Sequence, residues 1–201
     1  MCKRGAVFDV QTYTGTNVNT SRLHGLGKVP EMMWVKRRDS SNDWVVFNKD
    51  LHQYPQDYYL KINYASAVTN ASQWWKPPTS THWFTAIGGL NNINGATYIA
   101  MLFASVAGIS KVGSYTGDGT ASQTITTGFQ PRFLIVKSTS ASGWYVADTN
   151  RGWGAGNDQT VQLQESNAQA ATALGAPTAT GFTIEGGFNN NAEKWIYYAH
   201  A

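Results

Sequence analysis

Aromatic side chains near amides and carboxylates are the residues of this chain with the clearest binding chemistry. The chain has eight tryptophans and ten tyrosines. Aromatic rings stack on the apolar faces of sugars and fill protein interfaces, while neighbouring amides bind hydroxyl groups. The alternative for each ring is packing in a core or a subunit interface. We predict ligand or partner contacts at six of these residues: Tyr54, Tyr58, Trp74, Trp75, Trp83 and Trp153.

Three carboxylates in the second half of the chain are the candidates for catalysis: Asp148, Asp158 and Glu165. Glycoside hydrolysis needs two carboxyl groups, one of which has its pKa raised by apolar surroundings. The sequence neighbours of these three are polar, and the chain has no nucleophile elbow, Walker loop or HExxH motif. We therefore predict no catalytic residues and no enzyme, with a glycan-cleaving hydrolase as an alternative.

Metal and cofactor chemistry has little support in the sequence. The single cysteine, Cys2, excludes a zinc site made of thiolates and an intrachain disulfide. None of the four histidines is spaced from another as a pair of metal ligands on one element usually is. The glycine-rich segment 152–156 lacks the following helix of a phosphate site, so we interpret it as a mobile loop with an exposed Trp153. We predict no metal and no cofactor.

The composition argues against nucleic acid and membrane partners. Only 13% of the residues are charged, and the net charge is +3 with one basic cluster at residues 36–38. A weak and scattered positive charge does not form the basic patch that a nucleic acid needs. No apolar run approaches the length of a membrane span. We expect neither nucleic acid binding nor membrane insertion.

The elements that must position the aromatic residues occur twice. Segments of the first half return in the second, about 100 residues later and in the same order, as expected for a repeated domain. The clearest matched pairs are 13–15 with 115–117, 30–36 with 131–137, and 44–47 with 144–147. We predict an internal duplication with two domains, at residues 1–106 and 107–201.

Period-2 alternation separated by Gly, Asn and Ser clusters indicates strands in both copies. We predict an all-β fold of two tandem, jelly-roll-like β-sandwich domains of about 100 residues each. An Ala-rich segment, 166–174, is interpreted as a short helical turn. Four tryptophans at repeat-matched strand positions are predicted to be core residues: Trp34, Trp44, Trp144 and Trp195. Strands are predicted near residues 6–14, 20–24, 30–38, 43–48, 57–63, 82–87, 97–104, 109–116, 122–127, 131–138, 143–148, 160–164, 181–185 and 194–200.

A series of motifs in fixed order carries a family resemblance. Tyr-Thr-Gly at 13–15 is followed by HGLGKVPEM at 24–32, VKRRD at 35–39, DWVVF at 43–47 and NGATYIAMLFA at 94–104. This series resembles the repeated β-rich modules of tail and tail-fibre-like virion proteins of marine phages, notably cyanophages. The resemblance covers nearly the whole chain. It implies location in the virion after assembly in the host cytoplasm, and it carries no catalytic residues.

The resemblance leads to a hypothesis about function. We expect a non-enzymatic structural protein of the phage tail or tail fibre that mediates attachment to the host surface, with a glycan as receptor, or assembly contacts. The expected partners are other virion proteins and further copies of the chain, with a trimer favoured by the habit of the family. The alternatives are a decoration protein of the capsid surface and a glycan-cleaving hydrolase of the tailspike type.

Overall fold

The computed structural model describes residues 7–154 and 158–201. Part of the predicted glycine-rich loop, residues 155–156, lies outside them. The fold is all-β, as predicted, with antiparallel strands and three single-turn 3-10 helices at Pro55–Asp57, Thr149–Arg151 and Gly186–Asn189. The strands are β1 (Phe8–Thr14), β2 (Thr20–Leu23), β3 (Met32–Arg37), β4 (Trp44–Asn48), β5 (Tyr58–Lys61), β6 (Thr69–Asn70), β7 (His82–Thr85), β8 (Thr97–Phe103), β9 (Ser110–Thr116), β10 (Ser122–Thr126), β11 (Phe133–Ser138), β12 (Trp144–Asp148), β13 (Asp158–Gln162), β14 (Ala170–Thr172), β15 (Pro177–Thr178), β16 (Gly181–Glu185) and β17 (Lys194–His200).

The described chain divides into two compact units. The first runs to residue 105, apart from residues 64–67, which group with the second unit of residues 106–201. In the first unit a six-stranded sheet has the order β1-β8-β3-β4-β5-β6, and a two-stranded sheet pairs β2 with β7. In the second unit the six-stranded sheet has the order β9-β17-β11-β12-β13-β14, and a three-stranded sheet has the order β10-β16-β15. Each strand of one large sheet thus has a counterpart in the other.

The core of each unit lies between its large and its small sheet. In the first unit, Val35 and Leu102 from the large sheet share a buried cluster with Trp83 from the small one. In the second, Val136 of the large sheet shares a buried cluster with Phe182 of the small one. Alternate residues of each strand point to this core because successive side chains of a strand face opposite sides. The packing is sandwich-like in both units.

The repeated Tyr-Thr-Gly motif forms the same turn in both units. The Tyr13 hydroxyl donates a hydrogen bond to the carbonyl of Asn91 (2.6 Å), and the Tyr115 hydroxyl donates one to the carbonyl of Phe188 (3.1 Å). Burial raises the pKa of both phenols above the ordinary value. The tyrosines therefore act as protonated donors that fix the turn to the segment before the last strand of each unit.

A buried asparagine closes each of these turns. Asn92 accepts a hydrogen bond from the amide of Thr16 (3.0 Å), and Asn189 accepts one from the amide of Asp118 (3.1 Å). The Asn92 amide group also donates to the carbonyl of Val18 (2.7 Å), so its polar atoms are satisfied although the residue is buried. The signature that the sequence repeats is thus a hydrogen-bonded turn rather than a ligand motif.

The structure corrects the predictions for one segment and for two tryptophans of the first unit. The Ala-rich segment 166–174 contains strand β14 and no helix, because Ala170 and Thr172 pair with β13. Trp34 and Trp44 are half-buried and do not belong to the core of their unit. The prediction of burial for Trp144 and Trp195 is confirmed.

A buried lysine holds the hairpin loop between β11 and β12. Lys137 is 0% exposed, and its Nζ donates hydrogen bonds to the carbonyls of Ser138 (2.5 Å) and Ser140 (2.9 Å). Burial lowers the pKa of Lys137 to about 8, and the charge of Glu193 opposes this shift. The folded protein therefore releases this proton at a lower pH than the unfolded chain does.

The Lys137 shift predicts a rise in stability at alkaline pH. Below about pH 8 the lysine is charged in both states, whereas between about pH 8 and 10.5 only the unfolded chain keeps the proton. The free energy of unfolding of the wild type should therefore rise across this window by about 2 kcal/mol relative to Lys137→Met. Urea denaturation at several pH values measures it. Parallel pH profiles of the two proteins would contradict the prediction.

Candidate contact surface

Three of the six predicted contact residues are buried. The exposed fraction of the side chain is 1% for Trp74, 0% for Trp83 and 3% for Trp153. Trp74 packs edge-on against Phe47 at 5.7 Å, and Trp153 lies 6.2 Å from Phe182. The interpretation of Trp153 as an exposed loop residue is therefore wrong, since its ring belongs to the core of the second unit. These three rings are not accessible to an external ligand.

Tyr54 and Tyr58, two of the predicted contact residues, form a small aromatic group with His52. The His52 ring lies 4.2 Å from the ring of Tyr58 and 6.0 Å from that of Tyr54. Tyr54 is 56% exposed, and the Tyr58 hydroxyl accepts a hydrogen bond from the side chain of Asn70 at 3.1 Å. The group lies at the 3-10 turn before β5. It offers one exposed ring.

The small sheet of the first unit places apolar side chains on its outer side. In the pairing of β2 with β7, Leu23 lies opposite His82 and Ser21 lies opposite Phe84. The alternate residue, Arg22, points to the core side, where its guanidinium lies over the ring of Tyr13 at 3.9 Å from the centroid. Leu23, His82 and Phe84 therefore share the opposite side of this sheet.

Trp75 extends this side. Its ring stands edge-on to Phe84 at 5.9 Å, and the Phe84 ring stacks with that of His82 at 6.4 Å. The Nζ atom of Lys76 lies 4.2 Å from the centroid of the Trp75 ring, within cation-π distance. Leu23 is 69% exposed and Trp75 is 44% exposed. We call Leu23, Trp75, Lys76, His82 and Phe84 the outer face.

A hydrogen bond that occurs in both units shows which residues of the two small sheets are equivalent. Arg22 donates through Nη2 to the carbonyl of Thr14 (3.3 Å), and Gln123 donates through Nε2 to the carbonyl of Thr116 (3.2 Å). Thr14 and Thr116 are the central residues of the two Tyr-Thr-Gly motifs. Arg22 and Gln123 thus occupy equivalent positions, and their neighbours on the two strands can be compared directly.

The outer face has no apolar counterpart in the second unit. Thr124 takes the place of Leu23, and it lies opposite Thr183 in the pairing of β10 with β16. Glu185 takes the place of Phe84, opposite Ser122. The outer side of the small sheet therefore carries apolar and aromatic side chains in the first unit. In the second unit the equivalent side carries hydroxyl and carboxyl groups.

A family model matches residues 2–201, which is almost the full length of the chain. The chain belongs to the DUF7483 family. The family is described as a domain of unknown function. Neither the curated proteins nor the solved structures contain a match to this DUF7483 chain.

The candidate catalytic carboxylates of the DUF7483 chain are held by structural hydrogen bonds. Burial alone would raise the pKa of Asp148, but hydrogen bonds from Arg151 outweigh it and hold this pKa below the usual value. Asp158 accepts hydrogen bonds from the backbone amides of Gly154, Leu174 and Gly175 at 2.8 to 3.2 Å. A lowered pKa keeps Asp148 ionised, whereas a general acid needs a raised one.

The described residues contain neither a metal-binding group nor a membrane-spanning helix. Within residues 7–154 and 158–201 of the DUF7483 chain, no group of three or more His, Cys, Asp and Glu side chains is placed to bind a metal ion. No helix in the same residues has the length and apolar character needed to cross a membrane.

The sequence predicts a contact role for Trp75, which the structure exposes, but does not indicate its neighbours on the outer face. Phe84 follows Trp83 directly, and only the pairing of β2 with β7 shows which of the two faces outward. Leu23 looks like an ordinary strand residue. Its exposure could have been found from the alternation with Arg22, had the pairing partner of β2 been known.

Proposed function

We propose that this DUF7483 chain is a non-enzymatic virion protein of a phage tail or tail fibre that acts through binding. The resemblance of its motif series to tail and tail-fibre-like proteins supports the location. The observation that carries the binding role is the outer face, where the exposed Leu23 and Trp75 lie beside the buried Phe84 on a sheet whose counterpart is polar. Contiguous exposed apolar patches mark interaction sites.

We further propose that the two units are tandem β-sandwich domains from an internal duplication. Their large sheets have the same strand order, and their small sheets pair equivalent strands. The Tyr-Thr-Gly turns make the same hydrogen bonds through the phenol and the buried asparagine. A duplication accounts for both likenesses. The second unit then serves as a comparison for the first, because the two units share strand pairing but differ in the side chains on the outer side of the small sheet.

The chemistry of the outer face suits a protein partner. Leu23 and Trp75 supply exposed apolar area, and Lys76 and His82 border it with polar groups. Protein interfaces have this arrangement of aromatic and aliphatic residues within a polar rim. A sugar, by contrast, needs polar groups that bind its hydroxyls next to the ring on which it stacks. We assign the outer face to contacts between copies of the chain, in the oligomer expected for a virion appendage.

An exchange of one exposed side chain tests this assignment. Leu23→Asp places a charge in the outer face and should shift the purified protein from oligomer to monomer, because a buried unpaired charge is costly at an interface. Thr124→Asp makes the same change at the equivalent position of the second unit and should leave the oligomer intact. Sedimentation velocity measures both. A monomeric wild type, or equal behaviour of the two variants, would overturn the assignment.

A further inference from the structure

The second unit contains a pocket that the sequence did not indicate. Its cavity of about 230 Å³ is lined by the hairpin loop at Ala141 and Ser142, by Tyr145, and by the segment from Gly187 to Trp195. The Phe188 ring stands edge-on to that of Tyr145 at 4.9 Å and lies 5.4 Å from that of Trp195. Three aromatic rings therefore line the pocket, and Phe188 contacts the other two.

Asn190 and Glu193 also line the pocket, and hydrogen bonds hold both side chains in place. The Asn190 side chain donates a hydrogen bond to Glu193 Oε2 (3.0 Å), and the Ser138 hydroxyl donates one to Glu193 Oε1 (2.5 Å). Each carboxylate oxygen can accept more than one hydrogen bond. The Glu193 carboxylate is thus oriented by the protein and keeps capacity to accept from a ligand.

The indole nitrogen of Trp195 is closed off from the pocket. Trp195 is 2% exposed, and its Nε1 is buried with no hydrogen-bond partner among residues 7–154 and 158–201. Buried polar groups are nearly always hydrogen-bonded, so an orphaned indole N–H calls for an explanation. The indole nitrogens of Trp74 and Trp153 are buried and unpartnered in the same way, so this nitrogen does not by itself indicate a ligand.

The first unit satisfies the equivalent position internally. Tyr98 faces Tyr13 in the large sheet as Trp195 faces Tyr115 in the second unit. The Tyr98 hydroxyl donates to the carbonyl of Leu90 (3.0 Å) and accepts from the amide of Ile93 (3.0 Å). These bonds leave the hydroxyl with no need of a ligand.

The polar lining is likewise confined to the second unit. Gly15 donates its amide to the carbonyl of Ala96 (2.8 Å), and Gly117 donates to that of Glu193 (2.9 Å), so Ala96 stands in the place of Glu193. Val45 stands in the place of Tyr145, since each follows the first tryptophan of its strand, β4 or β12. The duplicated framework carries a ring and a carboxylate only in the second unit.

We infer that this pocket binds one pyranose residue of a saccharide. The Tyr145 ring offers a stacking face for the C–H groups of the sugar, and Glu193 and Asn190 bind its hydroxyls. The small cavity fits a single ring better than a larger ligand. The inference rests on the proposed function for the source of the sugar, a host-surface glycan, but uses different residues.

Ligand-observed saturation-transfer NMR with the full chain tests the inference. The probes are the methyl glycosides of glucose, galactose, mannose and N-acetylglucosamine. At least one should bind the wild type, and Glu193→Gln and Tyr145→Val should each weaken that binding by about tenfold or more. Glu193→Gln preserves the shape of the side chain, and Tyr145→Val installs the residue of the first unit. Melting curves recorded by circular dichroism check that both variants are folded at the temperature of the binding experiment.

A control separates this site from the outer face. Leu23→Asp should bind the same glycoside as the wild type does, even where its oligomer is lost. No binding of any glycoside to the wild type, or unchanged affinity in Glu193→Gln and Tyr145→Val, would overturn the inference. If the wild type is an oligomer but binds no glycoside, only the inference about the pocket is wrong. If the wild type is a monomer that binds a glycoside, only the assignment of the outer face is wrong.

Discussion

Replacing Trp83 by alanine is expected to lower the free energy of unfolding by about 3–5 kcal/mol. The ring is 0% exposed and lies edge-on to Tyr13 at 5.3 Å in the core of the first unit. Its Nε1 donates a hydrogen bond to the Gln11 side chain (3.0 Å). The substitution removes the largest kind of side chain from a closed core and leaves a cavity together with an unpaired amide oxygen. Urea denaturation followed by circular dichroism measures the loss.

Trp75→Ala is the matched control, since it deletes the same side chain from the outer face. Trp75 is 44% exposed, so the free energy of unfolding should change by about 1 kcal/mol or less. The two tryptophans thus separate a core role from a surface role. Equal losses of stability in the two variants would show that the outer face is part of the folded core.

The second large effect is expected at the glycines of the Tyr-Thr-Gly turns. A Cβ atom on Gly15 would lie 2.2 Å from the carbonyl oxygen of Ile93, and one on Gly117 would lie 2.1 Å from that of Asn190. Both oxygens belong to the backbone, which cannot rotate away as a flexible side chain does. Gly15→Ala and Gly117→Ala should each lower the free energy of unfolding by about 3 kcal/mol.

Gly187→Ala provides the control for the glycine pair. A Cβ atom at Gly187 meets no atom within 4 Å, and the residue has no positive φ. Its stability should stay within about 0.5 kcal/mol of the wild type in thermal and urea unfolding. If Gly15→Ala or Gly117→Ala leaves the free energy of unfolding unchanged, the close backbone contact of the Tyr-Thr-Gly turn does not fix the last strand of its unit.

The strands could be predicted because their signals are local. Alternation along β3 and β11, and the turn residues between strands, depend only on neighbours in the sequence. All fourteen predicted strand positions carry a strand in the structure, and the three missed strands, β6, β14 and β15, have only two or three residues. The Ala-rich segment failed because pairing with β13 outweighs the helix propensity of alanine.

The candidate sites were less predictable because they depend on pairs of residues that are distant in sequence. The exposure of Leu23 follows from the pairing of β2 with β7, across nearly 60 residues. The pocket depends on Tyr145 and Glu193 meeting beside Trp195, which the sequence marked only as a core residue. Composition and spacing predict that aromatic contacts exist, whereas strand pairing decides which rings are exposed.

Location in the virion is the central claim of the proposed function, and immunogold electron microscopy tests it most directly. The measurement uses an antibody against the purified chain and intact particles of the phage that encodes it. A tail or tail-fibre protein predicts gold particles along the tail or its fibres. Label confined to the capsid surface, as expected for a decoration protein, or particles that carry no label although the antibody binds the purified chain, would contradict the claim.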